Sequence, residues 1–203
     1  MDNVNRTYRY LKFQVSTEVA LTIMRKKILT KHIPTYIKIE YLNPETDSES
    51  LAEVYNRTFL VAADPYAPIG LKEVTAVGSE GIIVAKMFNK IVGFAYLKIR
   101  IEKSQKVGEI AIVGVIPEKR KQGIATALSV KIAEHFLKRR VELLECEVYE
   151  NNKPSLAYIL AFGFEYVGER LAKVVEDEIL DEAGEKKDKI KTSEKKRRPK
   201  LYK

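Results

Sequence analysis

The stretch from Glu109 to Ala125 restricts the fold of this chain more than any other. Residues 110–116 are all apolar or small, and five of these seven residues are β-branched, a pattern typical of a strand that is covered on both faces. Pro117 ends this strand. Apolar residues then recur with helical spacing at Ile124, Leu128, Ile132 and Phe136. The sequence therefore predicts a buried strand that leads through a short turn into a helix.

The turn between this strand and this helix has the composition of an anion site. The first turn of a helix leaves several backbone N–H groups unpaired and carries a partial positive charge, so it attracts phosphate. Gly123 and Ala125 would let a phosphate approach those N–H groups, and Lys119, Arg120 and Lys121 add positive charge. Neither Gly-x-x-x-x-Gly-Lys-Ser/Thr nor Gly-x-Gly-x-x-Gly occurs in the chain, which excludes two common phosphate loops. Taken alone, the turn also fits an ordinary strand-to-helix connection.

Two segments of the chain resemble the Gcn5-related N-acetyltransferase family. The first is Arg120-x-x-Gly123-x-Ala125 after the buried strand, which is similar to the acetyl-coenzyme A motif of that family. The second is Cys146-Glu147-Val148, followed by Asn152 and, eleven residues later, by Gly163-Phe164. The resemblance extends from about residue 81 to residue 170. It implies one α/β domain, in which helices lie on both faces of a central mixed, mainly antiparallel twisted sheet.

The resemblance also implies transfer of an acetyl group from acetyl-coenzyme A to a primary amine. A protein N-terminus or a lysine is the favoured acceptor, and a small molecule such as a polyamine or a drug is the alternative. The pantetheine arm of the coenzyme would pair with the backbone of Val115 and Ile116. The coenzyme-binding residues implied in this way are Val115, Ile116, Arg120, Lys121, Gln122, Gly123, Ile124, Ala125, Thr126 and Asn152. Asp64 and Tyr66 lie in a proline-rich loop that borders the acceptor pocket in the family, so they are expected to contact the amine. A turn fixed by proline, with an exposed tyrosine, explains them equally well.

Two glutamates are candidates for the base that deprotonates the amine. Glu109 lies eleven residues before Arg120, which is the spacing of the catalytic glutamate in the histone-acetylating branch of the family. Glu147 occupies the glutamate of the Leu-Glu-Val strand, which serves as a base in the ribosomal-protein N-terminal acetyltransferases. Carboxylates that pair with surface lysines, or that face solvent along a strand, are the alternative interpretation of both residues.

The expected general acid is replaced in this chain. In the family it is commonly a tyrosine four residues before the Gly-Phe pair, and that position is Ile159 here. The adjacent Tyr158 is our candidate, although one step along a helix is a rotation of about 100°, so its hydroxyl need not reach the same sulfur. Cys146 falls on the apolar face of its strand without a nearby histidine, and we interpret it as a buried structural residue. We interpret His135, on a lysine-rich helix surface, as solvated.

We predict three parts along the chain: an N-terminal extension (1–35) with a helix starting at Ser16 or Thr17, an acetyltransferase-like domain (36–182), and a basic tail (183–203). Residues 184–203 hold ten Lys or Arg and three acids, so they account for seven of the eight net positive charges. A solvated tail is the leading interpretation. The alternative for the tail is a nucleic-acid contact. It belongs to the alternative function, a non-catalytic protein whose fold binds coenzyme A or merely dimerises while the tail contacts nucleic acid.

Beyond Gly168 the resemblance ends. Leu171, Val174, Val175 and Ile179 have helical spacing, and the last strand of the family is expected either near residues 199–202 or not at all. One cysteine cannot form an internal disulfide, and two distant histidines make no credible metal site.

No run of about 18 apolar residues and no signal-peptide pattern occurs, so the sequence predicts a soluble cytoplasmic protein without a membrane partner. The N-terminal helix would pack on the domain or on a second subunit, which makes a homodimer one expected arrangement.

Overall fold

The structure is a computed structural model, and it describes residues 6–30, 35–64, 69–77 and 81–174. The strands are β1 (Arg6–Ser16), β2 (Ile37–Tyr41), β3 (Ile82–Met87), β4 (Lys90–Glu102), β5 (Gln105–Val115), β6 (Leu143–Tyr149) and β7 (Glu165–Val174). The helices are α1 (Thr17–Thr30), α2 (Pro44–Leu60), α3 (Leu71–Val77), α4 (Ile124–Lys138) and α5 (Lys153–Leu160). The seven strands form one sheet in the order β2-β3-β4-β5-β6-β1-β7.

The sheet is mixed and mainly antiparallel, which confirms the predicted fold class. Only the β5–β6 neighbours in this sheet are parallel. Their pairing begins at Val107 with Leu143 and stops at Glu109 with Glu145, although β5 continues to Val115 and β6 to Tyr149. A wedge-shaped gap therefore opens between the C-terminal halves of these two strands.

Helices cover both faces of the sheet. On one face, α4 packs against α1 and buries the four predicted apolar residues, each at most 1% exposed. On the other face, the ring of Phe94 in β4 lies 5.9 Å from that of Tyr55 and 6.5 Å from that of Phe59, both in α2. Adjacent residues of β4 face opposite layers. Phe94 contacts α2, whereas a Cβ on the neighbouring Gly93 would contact Ile124 of α4. The buried strand-turn-helix unit thus lies at the centre of the fold.

The predicted N-terminal extension contains an inner strand that the sequence analysis did not predict. β1 pairs antiparallel with both β6 and β7, and its Phe13 and Val15 are 4% and 7% exposed. α1 agrees with the predicted helix and begins at Thr17, whose hydroxyl donates a 2.7 Å hydrogen bond to the carbonyl of Val141. Residues 6–30 are therefore part of the sheet and of one helical layer.

The helix expected beyond Gly168 is wrong for the residues that the structure describes. Leu171 and Val174 lie in β7, where their register partners are Arg9 and Arg6 of β1. β7 is an edge strand and Leu171 is 61% exposed, so its apolar spacing does not come from a buried helix face. Val175, Ile179, the strand considered at 199–202 and the basic tail lie outside the described residues.

Two further observations concern membranes and metals. In the ranges listed above, no helix has both the length and the apolar character needed to cross a bilayer. The same ranges contain no cluster of three or more His, Cys, Asp or Glu side chains that could hold a metal ion.

Candidate active site

A cavity of about 440 Å³ opens between the end of β5 and the first turn of α4. Its lining consists of Val115, Lys119, Arg120, Lys121, Gln122, Gly123, Ile124, Ala125, Thr126 and Tyr158. Every residue that the sequence analysis assigned to the coenzyme lies in this lining except Ile116 and Asn152. We call residues 119–126 the coenzyme loop below.

The backbone of the coenzyme loop turns at two residues with positive φ. Lys121 has φ of 61°, and Gly123, the N-cap of α4, has φ of 79°. Because Ile124, Ala125 and Thr126 form the first turn of α4, their N–H groups have no acceptor four residues earlier in the helix. The first turn of α4 contains no acidic side chain. The lining therefore combines open N–H donors with the positive end of a helix dipole.

Arg120 uses its guanidinium for contacts to the backbone. Its Nε donates to the carbonyl of Val115 at 3.0 Å, and its NH2 group donates to the carbonyl of Thr58 at 3.1 Å. These bonds connect the coenzyme loop to the end of β5 and to the last turn of α2. Beside them, the Thr58 hydroxyl is buried and has no hydrogen-bond partner within the described part of the chain.

Ile116 differs from the expectation for the pantetheine arm. Its N–H donates to the carbonyl of Val92 at 3.0 Å, and its carbonyl accepts from the N–H of Lys119 at 3.0 Å. Both groups are therefore already engaged, contrary to the expectation. Because peptide groups alternate in direction along a strand, those of Val115 point to the opposite edge of β5, toward the gap.

Asn152 connects two parts of the site through its side chain. As the N-cap of α5, it accepts a 3.2 Å hydrogen bond from the N–H of Ser155 at its Oδ1 atom, and its amide donates to the carboxylate of Asp64. Asp64 is buried, with 6% of its surface exposed. The segment after α2 is thereby joined to the start of α5. Tyr66, the other predicted acceptor contact, lies outside the described residues.

Tyr158 lies in the cavity wall with its hydroxyl enclosed. The hydroxyl donates a 2.7 Å hydrogen bond to the carbonyl of Ala125 and contacts the hydroxyl of Ser129. Burial raises the pKa of this phenol, against a smaller opposing effect of the Ser129 hydrogen bond. Ile159, at the position of the family's tyrosine, is 8% exposed. The contacts of Tyr158 hold the first turn of α4 against α5.

The two candidate bases share a face of the sheet. Phe94 contacts α2, so Lys98, four residues along β4, lies on the same face. Glu109 lies opposite Lys98, Glu145 lies opposite Glu109, and Glu147 is two residues further along β6. This face carries the three carboxylates across β5 and β6, at the base of the gap between the strands.

Their ion pairs distinguish the two glutamates. Glu147 pairs with Arg170 at 2.6 Å and with Lys12 at 3.5 Å. Glu109 pairs with Lys98 and with Arg100, each at 4.0 Å, the longest ion pairs on this face. The carboxylate of Glu109 is therefore held less tightly than that of Glu147.

The surroundings of these glutamates have mixed charge. Arg100 contacts Glu145 at 2.8 Å, and Gln14 donates to the same carboxylate at 3.1 Å. The charged members of the network are Lys12, Lys98, Arg100, Arg170, Glu102, Glu109, Glu145 and Glu147. The sequence analysis missed Lys12, Gln14 and Arg170, which come from β1 and β7, the first and last strands of the described residues. For Lys12 and Gln14, the only sequence signal was the alternation of polar and apolar residues along β1, and this alternation does not show which strands β1 pairs with.

Two further residues test the sequence interpretation. Cys146 is 4% exposed, and burial raises the pKa of its thiol to about 12, in agreement with a structural role. His135 was expected to be solvated, but it is 3% exposed and its Nδ1 lies 3.0 Å from the hydroxyl of Tyr41. Burial lowers the pKa of this imidazole to about 4, with smaller contributions from the charges of Arg139 and Lys131.

Comparisons with solved structures give the fold. A GCN5-related N-acetyltransferase from Sphaerobacter thermophilus is 19% identical, with a TM-score of 0.59 over 84% of this chain and 53% of that chain. An aminoglycoside acetyltransferase, meta-AAC0020 from an uncultured soil metagenomic sample, in complex with sisomicin, is 16% identical, with a TM-score of 0.53 over 63% of this chain and 87% of that chain. The aminoglycoside N-acetyltransferase AAC(6')-Iy, in complex with CoA, is 20% identical, with a TM-score of 0.55 over 66% of this chain and 90% of that chain.

The alignment to the Sphaerobacter protein spans about half of that protein's length. No curated protein matches this chain. A family model described as "Acetyltransferase (GNAT) family" matches residues 48–164, which is more than half of the chain. That range includes most of α2, the gap between β5 and β6, the coenzyme loop and α5. The chain belongs to the GNAT family of acetyltransferases.

Proposed function

We propose that this protein transfers an acetyl group from acetyl-coenzyme A to a primary amine, and that the amine is a peptide N-terminus. The cavity beside the first turn of α4 carries the proposal, because its open N–H donors are suited to a phosphate and it adjoins the gap between β5 and β6. In this arrangement the N–H groups of Ile124–Thr126 bind the pyrophosphate. Lys119 and Lys121 supply positive charge, and the pantetheine arm follows the gap past the N–H of Val115.

Glu109 is the proposed base. The amine nitrogen attacks the thioester carbonyl, the C–N bond forms, and the C–S bond breaks, while the amine proton passes to the carboxylate of Glu109. The long ion pairs of Glu109 support this choice, because its two cationic partners lie 4.0 Å from its carboxylate, whereas Glu147 is engaged by two cations at 2.6 and 3.5 Å. Glu147 instead joins β6 to β1 and β7.

The sulfur is proposed to leave as the thiolate. Tyr158 would have to break its hydrogen bond to the carbonyl of Ala125 before it could donate a proton to sulfur. An alkyl thiol has a pKa of about 8.5, so its anion is a tolerable leaving group near neutral pH. We therefore assign Tyr158 to the support of the coenzyme loop and no longer to proton donation.

The charge around Glu109 favours an acceptor of low positive charge. Two of the similar structures are named aminoglycoside acetyltransferases, and aminoglycosides are polycations. In this chain each carboxylate near the gap is already paired with a lysine or an arginine, so a polycation would have to displace those partners. A terminal α-amine has a pKa of about 8, against about 10.4 for lysine, and costs less to deprotonate.

The test combines coenzyme binding with acetyl transfer. Calorimetric titration with acetyl-coenzyme A is expected to give one site per chain, with affinity reduced in Gly123→Asn by the added bulk and lost in the isosteric Gly123→Asp. Both side chains tolerate positive φ, so the pair isolates the added negative charge. Release of the coenzyme thiol is then measured with peptide N-termini, with N-terminally blocked lysine peptides, and with polyamines and an aminoglycoside.

The outcomes separate the parts of the proposal. Activity on free peptide N-termini supports it, whereas activity confined to polyamines or the aminoglycoside contradicts the acceptor. Binding without thiol release from any amine favours a non-catalytic coenzyme A-binding protein. Absence of binding contradicts the proposal as a whole.

A further inference from the structure

We infer that Arg120 is a positioning residue, which fixes the coenzyme loop to β5 and α2 and does not itself bind the phosphates of the coenzyme. The inference rests on the proposed function, in which this loop binds acetyl-coenzyme A. It starts from the two hydrogen bonds that the guanidinium donates, at 3.0 Å to the carbonyl of Val115 and at 3.1 Å to that of Thr58.

The carbonyl of Thr58 needs a donor from outside its helix. The last four carbonyls of a helix have no partner within it, and Thr58 lies two residues before the end of α2 at Leu60. The C-terminus of a helix also carries a partial negative charge, which a guanidinium stabilises. Arg120 therefore satisfies an unpaired acceptor and places its charge at the negative end of α2.

The carbonyl of Val115 also lacks a strand partner. Val115 is the last residue of β5, and β6 does not pair with β5 beyond Glu109. The Nε atom of Arg120 satisfies this carbonyl at the edge of the gap. Because one planar guanidinium bonds both carbonyls, the start of the coenzyme loop is fixed in distance and angle to β5 and α2. A lysine ammonium lacks this planar fork.

Other groups of the loop can bind a phosphate. Lys119 and Lys121 line the same cavity, and the first-turn N–H groups of α4 are open. The positive φ of Lys121 is uncommon for a residue with a Cβ, and such conformations persist where the surroundings hold them. The two hydrogen bonds of Arg120 to Val115 and Thr58, which we call the Arg120 brace, are one such restraint, one residue before Lys121.

Arg57 offers a matched control for Arg120. It lies one residue before Thr58 in α2, and its guanidinium contacts the carboxylate of Glu118, the residue that precedes the coenzyme loop. Its side chain is 46% exposed, and its partners are the exposed carboxylates of Glu118 and Glu53. A lysine can replace Arg57 in such pairs at little cost, since exposed ion pairs contribute little.

Binding of two ligands separates a positioning role from phosphate recognition. Acetyl-coenzyme A and acetyl-pantetheine, which lacks the phosphates, are titrated into the full-length wild type, Arg120→Lys, Lys121→Gln and Arg57→Lys at two salt concentrations. We expect Arg120→Lys to weaken both ligands by about tenfold without changing the salt dependence. Lys121→Gln should weaken acetyl-coenzyme A alone and reduce its salt dependence, and Arg57→Lys should change either affinity by less than about twofold.

Two results would overturn the inference. One is an Arg120→Lys protein with wild-type affinity for both ligands, since charge alone would then suffice. The other is an Arg120→Gln protein that loses affinity for acetyl-coenzyme A alone, together with part of its salt dependence, as a phosphate ligand would.

Hydrogen exchange of the ligand-free protein tests the positioning role without the coenzyme. Loss of the brace in Arg120→Lys should raise amide exchange in the last turn of α2 and in residues 116–123, and Arg57→Lys should leave both segments unchanged. Unchanged exchange in Arg120→Lys contradicts the inference. If the wild type binds neither ligand, the proposed function fails, while this measurement still decides the role of Arg120.

Discussion

Glu109 and Glu147 lie on one face of the sheet, but their cationic partners lie at different distances. The cations nearest Glu109 lie 4.0 Å away, whereas Arg170 lies 2.6 Å from Glu147. We predict that Glu109→Gln lowers kcat by about 100-fold or more and leaves the affinity for acetyl-coenzyme A within twofold, because general-base catalysis contributes factors of this size.

Glu147→Gln is the control for Glu109→Gln, because it makes the same substitution on the same face of the sheet. It removes ion pairs with partners that are 38% and 43% exposed, so it should lower the free energy of unfolding by about 1 kcal/mol or less and kcat by less than about tenfold. Steady-state rates with the best acceptor peptide measure both effects. A larger loss of kcat in Glu147→Gln than in Glu109→Gln would transfer the role of base to Glu147.

His135 makes stability depend on pH through its burial. Its folded-state pKa is about 4, below the ordinary value of 6.5, so the folded protein keeps the ring neutral while the unfolded chain takes up a proton. The contribution is complete above about pH 6.5 and is lost as the pH falls toward 4. These two values correspond to a loss of about 2 kcal/mol between neutral pH and pH 5.

Urea denaturation of wild type and His135→Gln at pH 7.5 and pH 5 measures this contribution. Glutamine retains a polar partner for the hydroxyl of Tyr41 and does not titrate. The variant should lose about 2 kcal/mol less than wild type between the two pH values. Equal losses in both proteins would assign the pH dependence to other groups.

At the scale of elements, β1 is the clearest addition to the fold. Phe13 is 4% exposed and lies between β6 and β7, whereas Leu29, in α1, is 86% exposed. We predict that Phe13→Ala lowers the free energy of unfolding by about 3 kcal/mol or more, with one cooperative transition, while Leu29→Ala changes it by less than about 0.5 kcal/mol. Circular dichroism during urea denaturation measures both. Two separate transitions in Phe13→Ala would indicate that β1 detaches from an otherwise intact sheet.

The elements differed in how far the sequence determined them. α4 was predictable because its buried residues recur every four positions and its start follows a strand terminated by Pro117. The alternation of Leu11, Phe13 and Val15 was also present, but the partners of β1 lie more than a hundred residues further along the chain, so its place in the sheet could not be derived. β7 lies at the edge of the sheet, where apolar residues such as Val167 and Leu171 are exposed, so its sequence lacks the alternation of buried and exposed residues that predicts a strand.

The candidate site divides in the same way. The coenzyme loop is contiguous in sequence, so one motif was enough to predict the residues that line the cavity. Whether Ile116 could bind a ligand, however, depended on Val92 of the neighbouring strand. His135 follows Leu128 and Ile132 with helical spacing, so its burial could have been predicted from the apolar periodicity. Its contact with Tyr41 of β2 could not.

At the scale of the whole molecule, β6 joins the two halves of the sheet. It is the parallel neighbour of β5 and the antiparallel neighbour of β1, and it forms one wall of the gap beside the coenzyme loop. Its Cys146 is 4% exposed and has a pKa of about 12 in the folded protein, so neither access nor ionisation permits reaction of this thiol in the native state. Alkylation of Cys146 therefore requires opening of the sheet around β6.

Acetyl-coenzyme A should slow this alkylation if it binds in the proposed gap. A ligand that binds only the closed state lowers the population of the open state by the factor 1 + [L]/Kd, which is about 100-fold at a concentration of 100 times Kd. Mass spectrometry of iodoacetamide labelling measures the rate, and acetyl-coenzyme A adds no free thiol. Gly123→Asp, which should not bind the ligand, provides the control, since its labelling rate should be the same with and without it. A ligand that binds the wild type without slowing labelling would mean that β6 opens independently of the coenzyme site, so that the parallel strand pair does not couple the two halves of the sheet.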